Sequence, residues 1–269
     1  MLGLAGPATA AAQATAATRA GTVVTADARR DAPHDPATYY GGTDGLSGAT
    51  LAARLHAIVK GHTTRSYAQV YNDLPVTDAD PARSGYLIDF YSGTSILATN
   101  KCGSSCAGGA WNREHTWPQS HGDFGTSAGI GTDLHHMRPE FGTTNSSRGN
   151  LDFDTTAAGT AVPSCAECRR DSDSFEGRDA TKGDLARGLF YMAVRYEGDG
   201  GELDLKMNDL TCNAAGAPNL GKLSTLVRWS LADPPDDRER ARNDLVDSAY
   251  QHNRNPFVDH PEWVSSIWP

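Results

Sequence analysis

The sequence predicts an α+β fold in a single, mostly helical domain with a strand-containing centre. Three observations carry that expectation. Several segments repeat apolar residues at helical spacing, and they flank the middle of the chain. Between them lie short apolar or alternating runs, too brief for helices. The central stretch, residues 102–154, is loop-rich and dense in His, Asn, Arg and Asp. With 269 residues and 38% hydrophobic content, the chain can bury a sizeable core.

Residues 1–20 are rich in Ala, Gly and Thr with Arg19 as the only charge, and residues 21–42 are polar with Pro33 and Pro36. Such a stretch cannot bury enough apolar surface to offset its ordering entropy. Residues 1–42 are therefore expected to be a signal-derived, disordered segment, and residues 43–269 the folded domain. From Thr50 to Gly61, Leu51, Leu55, Ile58 and Val59 share one helical face. Tyr86 to Tyr91 reads as a buried strand, and Ser164 to Arg178 as an irregular loop. Thr181 to Tyr196 is a helix striped by Leu185, Leu189, Met192 and Tyr196, its polar face carrying Lys182 and Arg187. Leu223 to Leu231 is a short helix. Asp233 then reads as an N-cap, with Pro234, Asp236 and Asp237 opening a last helix that runs to about His252. The chain has no internal repeat, no Gly-rich phosphate loop and no heptads.

Charge and cysteines bound the function class. A net charge of −9 argues against a module built to grip DNA tightly. It is nearly neutral on an enzyme that must release its product, because a polyanion responds to a local patch. No apolar run approaches the roughly 18–20 residues of a membrane-spanning helix, so no membrane partner is expected. Cys102, Cys106, Cys165 and Cys168 form two close pairs, which suits either a zinc site or disulfides. In a secreted protein, disulfides are preferred; cross-pairing would close loops of roughly 60 residues, worth about 4 kcal/mol. Cys212 is left over, and connectivity stays open.

Chemistry concentrates in three central pieces. The first is Asn112-Arg113-Glu114-His115-Thr116-Trp117-Pro118. Without the H-E-x-x-H spacing, its Glu and His do not form a zincin pair. At a strand end they can instead divide two jobs, a carboxylate for a hard cation and an imidazole for a water. The second is Asp133-Leu134-His135-His136-Met137-Arg138-Pro139, a short alternating stretch read as a strand, where neighbouring histidines face opposite ways. The third is Asn145-Ser146-Ser147-Arg148-Gly149-Asn150, a helix that stops at Gly149. Strand, strand, helix is the order of a ββα-metal motif.

These pieces make the chain resemble the bacterial endonuclease I family of periplasmic and secreted nucleases, within the His-Me finger superfamily. The matching signatures are NREHTWPQS, TDLHHMRP, NSSRGN, KGDLARGLFYMAVRY at 182–196 and NRNPFVDHPE at 253–262. The resemblance covers roughly residues 47–269. It implies a ββα-metal (His-Me finger) core, His115 as general base, and Glu114 with the Asn145 side-chain oxygen as ligands of one divalent cation. Those oxygens suit Mg²⁺, with Mn²⁺ or Ca²⁺ as alternatives. Arg148, one turn beyond Asn145, is expected to reach the scissile phosphate bidentately. Two departures stand out. Some members carry Asn where this chain has His136, which is expected to buttress the active-site loop, with a third metal ligand as the alternative. No Arg lies between His115 and Asp133, where some relatives place a phosphate clamp, so Arg113, Arg138 or Arg178 must substitute. The expectation is a secreted, monomeric, metal-dependent and non-specific endonuclease that cuts DNA, with RNA as a further substrate, to 5′-phosphate products. The rival readings are a zinc-stabilised, non-catalytic DNA-binding protein and a metal-dependent hydrolase of other phosphodiesters.

Overall fold

The structure, a computed structural model, describes residues 1, 31–103, 106, 108–156, 158–211 and 214–269. Residues 2–30, most of the expected signal-derived segment, and Cys212 lie outside the described residues. Residues 31–42, placed above in the unfolded segment, are ordered. Asp35 caps α1 (Pro36–Tyr39) by accepting from Ala37 N, and the Tyr40 hydroxyl donates to Asp259 Oδ2 at 2.6 Å. His34 is held by Asp247 through its backbone N–H at 2.6 Å and its ring at 2.7 Å. Polar residues tie this stretch down, which a reading based on apolar content cannot foresee.

Helix α2 (Gly48–Val59) buries Leu51, Leu55 and Val59, the stripe read from the sequence. Helix α3 (Tyr67–Thr77) was not anticipated, yet it carries a complete capping box between Ser66 and Gln69. The strand expected at Tyr86–Tyr91 ends early: β1 (Tyr86–Ile88) pairs antiparallel with β2 (Ser95–Leu97). Asp89 turns the chain between them by accepting from Ser92 N and Oγ.

The functional centre follows. β3 (Trp111–His115) pairs antiparallel with β4 (Met137–Phe141), from Trp111↔Phe141 to His115↔Met137. Asp133 to His136, expected in that second strand, instead form a turn in which the Asp133 carbonyl accepts from His136 N and Met137 N. β4 runs without a loop into α4 (Gly142–Arg148), which stops at Gly149 with φ of 60°. A Cβ at Gly142 would collide with Cys106, so only glycine lets the helix start there.

The segment 164–178 is not an irregular loop. β5 (Asp152–Phe153), β6 (Thr160–Val162), β7 (Cys165–Arg170) and β8 (Ser174–Glu176) form a sheet in the order β5-β8-β7-β6. Both cysteine pairs are disulfides, Cys102–Cys106 and Cys165–Cys168. Each closes a local turn rather than a long loop. With the four sulfurs bonded pairwise, the zinc site of the rival reading has no thiolates.

Helix α5 (Lys182–Arg195) is buried nearly all round, and Phe190, Tyr191 and Met192 anchor the larger core. Its Arg187 faces no substrate: it is fully buried and ion-paired to Glu239 at 2.5 Å. Two short parallel strands, β9 (Lys206–Met207) and β10 (Asn219–Leu220), lead to α6 (Leu223–Ala232). The cap of α7 (Asp237–Val246) is Asp236, accepting from Glu239 N, and a wider π turn continues the helix to Gln251. Asp233, expected there, instead accepts from Gly183 N at the start of α5. The chain ends in α8 (Pro256–Asp259) and α9 (Trp263–Ile267). Helices and short strands together make an α+β fold. A second, smaller core of Val70, Leu74, Leu87, Trp111 and Met137 supports β3 and β4.

Candidate active site

A cleft of about 520 Å³ opens along β3, and Tyr67, Arg113, Glu114, His115, Asn145 and Arg148 line it. Direct continuation of β4 into α4 folds that helix back over β3. Asn145 Nδ2 then donates to Asn112 Oδ1 at 2.8 Å and to the Arg113 carbonyl at 3.3 Å. Two acceptors on one side fix the sense of the amide. Asn145 Oδ1 is left as an acceptor with no hydrogen bond among the described residues.

His115 is buried, with Nε2 at 3.0 Å from the Gly131 carbonyl. A carbonyl can only accept, so Nε2 carries the proton and Nδ1 keeps its lone pair. The Gln119 amide nitrogen sits 3.1 Å from Nδ1. Burial first, then the neighbouring His136, Arg113 and Arg148, push the ring's pKa down to about 3, with the Gly131 carbonyl opposing. The ring is therefore neutral and able to accept a proton.

Glu114 is 2% exposed, and its Oε1 accepts from the Tyr91 hydroxyl at 2.9 Å and faces Arg148 at 3.3 Å. Burial raises its carboxyl to about 6 against the lowering influence of Arg148 and Tyr91. Its Oε2 has no hydrogen-bond partner among the described residues. One carboxylate and one amide oxygen are thus free on the cleft wall. Among the described residues no three His, Cys, Asp or Glu side chains converge on a metal position. A carboxylate with an amide oxygen still fits a hard cation that keeps most of its waters.

Arg148 is 1% exposed and already committed: Nη1 donates to the His115 carbonyl at 3.0 Å, and Nη2 to the Thr116 carbonyl at 2.6 Å. The expected bidentate phosphate contact does not fit that geometry. Arg148 instead braces the end of β3 and faces Glu114. Of the three arginines expected to clamp a phosphate, only Arg113 reaches the cleft. Arg138 is buried against Asp78 at 3.2 Å, an acid it shares with Arg242 at 3.0 Å. Arg178 packs over Gly93 and lines a different cavity together with Arg138. His136 is fully buried and meets His115 edge-on with ring centroids 5.6 Å apart. His135 points the other way, against Tyr191 at 4.3 Å.

The sequence model of the family described as Endonuclease I matches residues 47–262, which includes every residue of the cleft named above. The chain belongs to the endonuclease I family. It is also 52% identical over 235 residues to the extracellular ribonuclease of Bacillus subtilis (strain 168), covering 87% of this chain and 80% of that protein. Identity to the extracellular ribonuclease of Bacillus amyloliquefaciens is 52% over 234 residues, covering 87% and 79%.

For this endonuclease I member, sequence reasoning missed Tyr67, Tyr91, Gln119 and the Gly131 carbonyl as parts of the site. Gln119 stands four residues after His115 in a quoted motif, and the capping box could have found the helix of Tyr67. Tyr91 and Gly131 carry no local signal.

Proposed function

We propose that this protein is a secreted endonuclease that hydrolyses phosphodiester bonds of RNA and DNA without reading sequence, dependent on a divalent cation. One observation carries the reading: a neutral imidazole whose Nδ1 meets only the Gln119 side-chain amide lines one cleft with a carboxylate oxygen and an amide oxygen that have no hydrogen-bond partner among the described residues. The ββα order of β3, β4 and α4 supports a His-Me finger centre. The names of the relatives support RNA as a substrate and an extracellular site of action, and local disulfides suit an oxidising compartment.

Glu114 Oε2 and Asn145 Oδ1 would hold the cation, Mg²⁺ in the first instance, with Mn²⁺ or Ca²⁺ as alternatives. When bound, it supplies positive charge for the phosphate and the leaving oxygen. A water takes the place of the Gln119 amide at His115 Nδ1. The water oxygen bonds to phosphorus while the bond to the 3′ oxygen breaks, the water's proton passes to Nδ1, and the departing 3′ oxygen takes a proton from solvent. The Gly131 carbonyl keeps the accepting nitrogen turned to the cleft. An entering phosphate also favours the protonated ring, offsetting the burial that depresses it. Products carry 5′ phosphates. Contacts to backbone rather than bases leave sequence unread.

The test is digestion of plasmid DNA and of a structured RNA by the full chain, with Mg²⁺ and with excess EDTA. Cleavage of both in Mg²⁺ alone, with 5′-phosphate ends, is the expected result. Cleavage that survives EDTA, or 5′-hydroxyl ends, would overturn the cation and the water attack.

A further inference from the structure

We propose that Arg113 is the phosphate anchor of the cleft, preset by Tyr67 and Tyr71 to hold a backbone phosphate of the strand being cut. The inference rests on the nuclease reading and goes beyond it by naming the cation that meets the substrate. Four arginines were candidates, and three are spent: Arg148 on two carbonyls, Arg138 on Asp78, and Arg178 in another cavity.

Arg113 lines the cleft and is committed to a single carbonyl. It is half-buried on the cleft wall, two residues before His115 on the same strand, so both side chains lie on one face of β3. Its guanidinium carbon lies 3.3 Å from the ring centroid of Tyr67 and 3.6 Å from that of Tyr71. Those tyrosines are one helical turn apart on α3, which makes the pair a rigid wall. One nitrogen, Nη1, donates to the Tyr67 carbonyl, and the buried Nε has no partner. Arg113 forms no ion pair with a carboxylate among the described residues; its side chain meets the two tyrosines instead.

A guanidinium held flat by aromatic faces loses little entropy on meeting a phosphate, and partial dehydration strengthens that contact. With no carboxylate paired to it among the described residues, the charge is left for an outside anion. Lys101, whose Nζ lies 5.4 Å from the Tyr71 ring, extends the same cation–aromatic ridge away from His115. Alternating cations and aromatic faces are what a single strand follows.

The experiment measures binding without cleavage. Fluorescein-labelled single-stranded DNA and RNA oligonucleotides are titrated by anisotropy, in EDTA, with the His115→Ala protein as parent, from about 50 to 200 mM salt. Adding Arg113→Met should weaken binding about tenfold at low salt and reduce the slope of log K against log salt by about 0.7 for the lost phosphate contact. Arg113→Gln, which keeps a donor for the Tyr67 carbonyl, serves the same test if the methionine variant unfolds. Arg83→Met, at an exposed position outside the cleft, should change neither quantity. Parent-like affinity and slope in the Arg113 variants would overturn the proposal while leaving the nuclease reading intact. A parent that binds neither nucleic acid would remove both.

Discussion

Two buried clusters of histidine and carboxylate lie side by side at the end of the strand pair where His115 meets Met137, and they have different fates. One holds Glu114, His115, His136 and Arg148 along the cleft. The other centres on Asp133, which accepts from the hydroxyls of Tyr191 at 2.9 Å and Tyr196 at 3.0 Å, from Gln251 Nε2 at 3.0 Å and from His135 N at 3.0 Å. Around it, Asn253 donates to Tyr191 and to the Val59 carbonyl, and His135 reaches the Asn253 carbonyl. In sequence the two look equally chemical. In space the Asp133 carboxylate has its lone pairs filled by the protein core, whereas the first cluster keeps Oε2 and the neighbouring Asn145 Oδ1 on an open wall, with Nδ1 met only by the Gln119 side chain. A satisfied network specifies a fold, and an unsatisfied one is available to a substrate.

The strongest way to break that comparison is to remove one group from each cluster. His115→Ala should lose about 10²–10⁴-fold in rate, the usual worth of a general base, with little change in melting temperature. Asn145→Ala should also lose rate, but part of it should return at high Mg²⁺ or with Mn²⁺. Asp133→Ala should do the reverse, lowering stability by about 3–5 kcal/mol because it strands several buried donors. Activity of the surviving folded Asp133→Ala fraction, normalised by active-site content, should stay within a few-fold of the parent. If Asp133→Ala melted normally yet abolished cleavage, the two clusters would have to exchange roles.

Acid acts on both clusters, because burial depresses His115 and His136 as well, so the share of the closed cluster is isolated by substitution. Burial, against the opposing charge of Asp133, pushes His135 down to about 4 and also lowers His62. In the unfolded chain these rings take up protons near pH 6.5. Their folded pKa values are depressed, so stability is full above about 6.5 and falls as pH drops toward about 4. His135 alone should cost about 2 kcal/mol between pH 6.5 and 5. Denaturant melts across that interval measure it, and His135→Asn should flatten the slope. A curve already flat in the parent from 6.5 to 5 would mean that the closed cluster protonates without cost.

How much of this was legible in the sequence follows from the kind of signal each feature leaves. Glu114, His115 and Asn145 stand in ordered motifs, and the stripes of α2 and α5 repeat at helical spacing, so both were readable. The β5–β8 sheet was not, because its strands are two to six residues long and β7, Cys165–Arg170, does not alternate. Asp233 and Asp236 are both competent caps, and only packing decides that the first serves α5 and the second α7. The fate of each arginine was the least legible. A guanidinium's role is set by which carbonyl or carboxylate the fold brings to it, and those partners are distant in the chain: Asp78 for Arg138, Tyr67 for Arg113.

The smallest expected effect belongs to the disulfides, and it bears on the same boundary between closed core and open cleft. Cross-pairing was expected to be worth about 4 kcal/mol, but a bridge between residues three or four apart removes far less unfolded-state freedom, about 2 kcal/mol at most. Cys165 and Cys168 are buried in the larger core, whereas Cys102–Cys106 backs onto Gly142, where the helix bearing Asn145 begins. Cys102→Ser with Cys106→Ser should therefore cost less than about 2 kcal/mol in stability and show its effect at α4, as a modest rise in the Mg²⁺ concentration needed for half-maximal rate. Cys165→Ser with Cys168→Ser should cost more stability and leave that Mg²⁺ requirement unchanged. Arg113 and Arg148 lie between the two pairs, so tryptic peptides from the unreduced protein separate them. Each pair should be found linked to itself. A peptide joining Cys102 or Cys106 to Cys165 or Cys168 would contradict both the connectivity and the small size of the effect.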